Sequence, residues 1–139
     1  MSKTSVQVWN FGDIQKVEIH KNGTINKNAV RAYQNGQCHS LAIAIHKITG
    51  WPIYGICDGG NTPTDPGHVV VKNPRNGGFI DIRGYGALAR WRKKWGPVTI
   101  HPLTLDQAMK LDTYLRPQIT KAIPFAKKVL ERIGYVCKN

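Results

Sequence analysis

Acidic side chains are scarce in this chain. Eight Asp and Glu stand against 20 Lys and Arg over 139 residues, a formal charge of +12. That balance points outward to an acidic partner, a nucleic acid or an acidic protein surface, with plain solvation as the bland alternative. Cysteine is sparse too: Cys38, Cys57 and Cys137 make an odd count without regular spacing. A disulfide scaffold is thereby disfavoured and a reducing, cytoplasmic setting expected. No CxxC pair or Cys/His cluster has zinc-ligand spacing, so no metal or other cofactor is implied. No run approaches the roughly 20 apolar residues that cross a bilayer, and the first residues lack the apolar stretch of a signal peptide. A membrane partner is therefore not expected. Repeats, low-complexity tracts and linkers are missing as well, which leaves one domain over 1–139 and no indication of oligomeric state.

What is present is 41% hydrophobic, enough for a core. Residues 5–9 and 13–20 alternate polar and apolar and read as strands. Asn22-Gly23 follows as a turn signal, so the first 30 residues form a hairpin or an arm over a cleft. Residues 28–33 suggest a short helical turn. From Cys38 the chain becomes apolar nearly all round: Leu41, Ala42, Ile45 and Ile48 recur at helical spacing, with Ile43 and Ala44 between them. A helix so composed is buried on more than one face, and Gly50 stops it. Residues 51–57 read as a strand entered through Pro52, and 58–67 as a turn-rich loop placed like a lid. The run beginning at His68 and the stretch 79–82 flank an Asn/Gly-rich turn and predict an antiparallel pair. Residues 85–139 read as a basic, mainly helical part, with a further strand near 97–100 and Thr104 as an N-cap. The expected class is α+β, a central helix headed by Cys38 on a small antiparallel sheet.

Chemistry concentrates in residues 34–84. A helix start is where a thiol most readily becomes a thiolate, because unpaired amides and the positive dipole end favour the anion. A hairpin brings His68 and Asp81 side by side, so the acid can orient the imidazole and the imidazole can take the thiol proton. Cys38, His68 and Asp81 are thus nucleophile, base and orienter, and the plain alternative is a core cysteine with structural polar neighbours. The Cys38 amide and the side chains of Gln34 or Gln37 are candidates for binding an oxyanion. His39 and Asp58 are candidate cleft-lining residues, Asp58 alternatively a turn cap. His39 and His46 share a helix face but lack a third ligand, so they suggest no metal. Arg90, Arg92, Lys93 and Lys94, interleaved with Trp91 and Trp95, are a candidate partner-binding segment; the competing arrangement turns the tryptophans inward and the charges to water. Cys57 reads as core and Cys137 as incidental.

The order Cys38, His68, Asp81, with the cysteine heading a helix and the others on successive strands, resembles the papain-like and transglutaminase-like superfamily of cysteine hydrolases. The interval of 13 between His68 and Asp81 is similar to the transglutaminase-like pattern. The likeness covers residues 34–84. It implies a compact papain-like or transglutaminase-like fold and thioester chemistry at amide bonds: peptide hydrolysis, glutamine deamidation or acyl transfer on a protein or peptide. Compact versions are typical of deamidase-like effectors and small phage or bacterial proteins. Two features depart from the papain pattern: His39 stands where those peptidases carry tryptophan, and Gln34 and Gln37 lie nearer the cysteine than their glutamine does. The alternative is a basic nucleic-acid- or acidic-protein-binding module, for example a phage or host-directed inhibitor, that does no chemistry.

Overall fold

A helix that is apolar on every side has to be covered on every side, and the rest of the chain does this for α2 (Cys38–Thr49). The computed structural model describes residues 2–10, 12–112 and 114–136; Cys137 lies outside them. Leu41 through Ile45 are each at most 2% exposed. Each such isoleucine or leucine contributes about 1.5–3 kcal/mol over an exposed one. Gly50 closes the helix in the left-handed region, φ 75°, its amide donating to the His46 carbonyl.

Three neighbours supply the cover. The first is a hairpin of β1 (Lys3–Asn10) and β2 (Asp13–His20), whose register runs from Lys3↔His20 to Asn10↔Asp13. Its reversal therefore lies between those strands rather than at Asn22-Gly23, which instead leads into α1 (Lys27–Gln34). Val6, Val8, Val17 and Ile19 turn into the core, and α1 adds Ala29, Ala32 and Tyr33 behind an Asn26 side-chain cap on the Ala29 amide. The second is α5 (Ile119–Arg132), which brings Ala122, Phe125, Ala126, Val129 and Leu130 against the same core.

The third is a sheet of β3 (Ile53–Cys57), β4 (His68–Lys72), β5 (Phe79–Asp81), β6 (Gly84–Tyr85) and β7 (Thr99–Leu103). Its order is β6-β5-β4-β3-β7, antiparallel throughout. Alternation along the strands makes two faces. Ile53, Val69, Val71, Ile80 and Ile82 join the α2 core. Ile56 and Val70 meet a smaller cluster under α3 (Ala87–Trp95), with Ala87, Leu88 and Trp91. The central strand β4 is covered on both sides, which explains its unbroken valine run. A short α4 (Leu105–Met109) follows β7, held by a capping box between Thr104 and Gln107. The chain is therefore mixed α+β, with the helix headed by Cys38 on an antiparallel sheet of five strands.

Candidate active site

Sheet register places the acid and the imidazole. Val71 faces Ile80 across the β4–β5 ladder, so Asp81 and His68 share a face as diagonal neighbours. Their side chains meet: His68 Nε2 lies 3.0 Å from Asp81 Oδ2, at 0% and 4% exposure. A carboxylate only accepts, so Nε2 carries the proton and Nδ1 is left as the basic nitrogen. That Nδ1 is buried without another hydrogen-bond partner. The other carboxylate oxygen, Oδ1, accepts from the Arg83 amide at 2.8 Å and from Arg90 Nη2 at 2.8 Å. Burial pushes the Asp81 carboxyl up, but the His68 hydrogen bond and charge, the Arg83 amide and the Arg90 guanidinium together hold it below its ordinary value.

Trp91 closes the imidazole from the α3 side. Its ring stacks on His68, centroids 4.7 Å apart and planes within 7°. Gly67 makes room for this: a Cβ there would lie 2.6 Å from Asn61 Oδ1 and 3.2 Å from the Trp91 ring.

The thiol stands at the first residue of α2, where the Leu41 amide makes the first bond back to the Gln37 carbonyl and the amides before it precede that ladder. Burial alone would raise the Cys38 thiol. Hydrogen bonding to His39 and His68 and their positive charge outweigh it and bring the thiol down to about 5. His68 moves the other way: burial would lower it, yet bonding to Asp81 and Cys38 raises it to about 9. Between those values the favoured state is thiolate beside imidazolium. Tyr114 Oη lies 4.0 Å from the sulfur and donates to the Pro66 carbonyl. Burial, and after it the Cys38 charge, keep this phenol a neutral donor.

The remaining expected residues divide. Gln34 borders the cleft beside Cys38, its Oε1 accepting from Arg83 Nε at 3.4 Å. Gln37 is not available as an oxyanion donor: at 0% exposure, its amide nitrogen donates to the Gln7 carbonyl at 2.9 Å and its oxygen accepts from Ser40 Oγ at 2.6 Å. It ties α2 to the hairpin instead. His39 does not line the cleft; it is 1% exposed, its Nε2 2.6 Å from the Leu115 carbonyl and its ring edge-on to Tyr114. A carbonyl only accepts, so Nε2 donates, and the buried Nδ1 has no other hydrogen-bond partner. Asp58 both borders the cleft and caps its own turn, Oδ1 accepting from the Gly60 amide at 2.9 Å.

Arg90 is withdrawn from the basic segment. Besides Asp81 it donates to the Tyr85 carbonyl at 2.6 Å, so it supports the acid rather than a partner. Arg92 and Lys93 stay exposed, while Lys94 borders the cleft with its ammonium 5.3 Å over the Trp95 ring. Trp91 turns inward as one arrangement anticipates; Trp95 stays 52% exposed. The loop 58–67 is a wall rather than a free lid: the Gly67 amide donates to the Ile56 carbonyl at 2.9 Å, and the Thr64 carbonyl accepts from the Asp112 amide at 2.8 Å. Tyr114 and the Leu115 carbonyl escape sequence reading because each arrives from far along the chain. Arg90 had one available signal: a strand carboxylate buried beside one imidazole has a second oxygen to satisfy.

A cleft of about 500 Å³ opens onto the sulfur, between the hairpin at Trp9, the loop at Asp58, Asp65 and Pro66, and α3 at Trp91 and Trp95. Among the described residues no group of His, Cys, Asp or Glu is placed to hold a metal, and no helix is long and apolar enough to cross a membrane. No family model, curated protein or solved structure matches this chain.

Proposed function

We propose that this protein is a cysteine-dependent hydrolase or deamidase with a compact papain-like or transglutaminase-like fold. It attacks an amide or ester carbonyl of a protein or peptide and passes through a thioester. The observation that carries this reading is the pairing of a helix-initiating thiol with a buried imidazole, whose far nitrogen is held by Asp81 and whose near nitrogen has no other hydrogen-bond partner. The Cys38 proton passes to His68 Nδ1, and the thiolate adds to the carbonyl carbon. Charge developing on the carbonyl oxygen falls near the first amides of α2, with the Gln34 side chain as a second donor. His68 then gives its proton to the departing nitrogen, the C–N bond breaks, and the acyl group remains on sulfur. Water, deprotonated by His68, attacks the thioester, releasing the carboxylic acid and returning the proton to the thiol. Asp81, fixed by Arg83 and Arg90, keeps the imidazole in the tautomer this cycle needs.

The alternative, a basic module that binds nucleic acid or an acidic protein without chemistry, draws on the exposed Arg92 and Lys93. It expects binding that weakens steeply with salt and ignores Cys38→Ala. Alkylation of Cys38 by iodoacetamide, followed against pH by mass spectrometry, separates the two. The hydrolase reading expects reaction at half its limiting rate near pH 5, the value held in the site. It also expects return towards the free-thiol value of about 8.5 in His68→Ala. Identical profiles in the two proteins would overturn it.

A further inference from the structure

The charge of the cleft runs against the charge of the chain. Lys and Arg outnumber Asp and Glu by 20 to 8 overall, yet the charged side chains bordering the cleft are Asp58, Asp65 and Lys94. Lys94 is at the rim with its ammonium over Trp95. Both carboxylates come from the loop 58–67. Asp58 caps the Gly60 amide, and the Asp65 backbone pairs with that of Thr62.

Tryptophan shows the same concentration. Three of the four in the chain, Trp9, Trp91 and Trp95, border this space. Trp91 is committed to His68, but Trp9 and Trp95 leave 37% and 52% of their surface in solvent. An indole face attracts a cation, most strongly where water is partly excluded. A carboxylate supplies the full opposite charge. Lysines on the outer surface act through a screened distance of about 8–10 Å, whereas the lining groups touch whatever enters.

Cys38, which borders this space, fixes where the carbonyl is attacked. The acids and exposed indoles border the same space. We infer that the substrate is a peptide with a cationic side chain, arginine or lysine, beside the carbonyl attacked by Cys38. This rests on the thiol chemistry proposed above. The space, about 500 Å³, is within the range of about 300–1,000 Å³ that encloses small ligands.

Peptidyl vinyl sulfones carrying arginine, its neutral isostere citrulline, or glutamate test the inference through the rate at which each alkylates Cys38. Rates are divided by the iodoacetamide rate of the same protein, so loss of the thiolate and loss of cation selectivity read separately. Arginine is expected to exceed citrulline by about tenfold, as one partly desolvated charged contact provides, and glutamate to be slowest. Asp58→Asn with Asp65→Asn should reduce that advantage to about twofold. Binding of the arginine and citrulline peptide amides to Cys38→Ala, followed by tryptophan fluorescence, reads the same preference without any chemistry. Equal rates and equal affinities for arginine and citrulline would overturn the inference, as would a preference that survives both substitutions.

Discussion

Cys38 and Cys57 are equally buried, 4% exposed each, and both are free thiols, yet their surroundings push them apart. Cys57 ends β3 in the company of Asp58 and Asp65, and burial followed by those two carboxylates raises its thiol. Cys38 begins a helix between two imidazoles, and its thiol falls to about 5 although burial pushes it up. Burial therefore does not separate a core cysteine from a reactive one. The sign of the neighbouring charge does: Asp58 and Asp65 raise Cys57, whereas the imidazoles beside Cys38 lower it.

The largest way to break this comparison is to remove each sulfur in turn. Cys38→Ser should abolish turnover, a loss of at least about 10⁴-fold, while Cys57→Ser should stay within about twofold. Initial rates on a cleavable peptide, with intact mass to exclude modification, decide this. Comparable losses at both positions would end the distinction.

Next in size is the acid. Asp81→Asn keeps the shape but removes the charge that orients His68, and the amide can turn its NH₂ toward Nε2, forcing the proton to Nδ1. Turnover should drop by about 10²–10⁴-fold with folding retained, as seen in kcat rather than KM.

A third test uses stability. His68 holds its proton to about 9 in the fold, above its ordinary 6.5. Its contribution is therefore complete below 6.5 and is lost as pH rises through about 9. Cys38, held near 5, contributes with the opposite sign up to its free-thiol value of about 8.5, so urea midpoints between 6.5 and about 8.5 should stay nearly level in the wild type and fall with pH in Cys38→Ala, where only the His68 contribution remains.

The smallest effect sharpens the comparison most. His39→Asn removes one of the two imidazoles beside Cys38 and leaves the His68–Asp81 pair intact. The half-point for alkylation should rise, to a value still below that of His68→Ala, and turnover should fall about two- to tenfold. An unchanged profile would reduce His39 to packing against Tyr114 and Leu115.

What was legible in the sequence followed from local pattern. The apolar run after Cys38, Gly50, and the paired runs around His68 and Asp81 each carry their structure within a few residues. The hairpin was legible as two alternating strands, but its turn was misplaced, because Asn22-Gly23 is the stronger turn signal and strand pairing nonetheless brings Asn10 against Asp13. Gln37 illustrates a different limit. A polar residue beside the nucleophile reads as a donor to substrate, but contact with Gln7, 30 positions away, commits its amide. Arg90 was hidden for the same reason: charge next to exposed charges reads as surface until a buried carboxylate is seen to lie under it.

The sheet order also bears on how the protein behaves when crowded. One margin of the sheet is β6, only two residues long; the other is β7, which carries Pro102 and so lacks one donor in its outer row. Neither margin offers a neighbouring chain a long, flat ladder to extend. The strand with the richest aggregation-prone composition, the valine run of β4, lies at the centre with both sides paired. A sheet that keeps its most adhesive segment inside and its borders short seeds fibres less readily than one with an open valine edge.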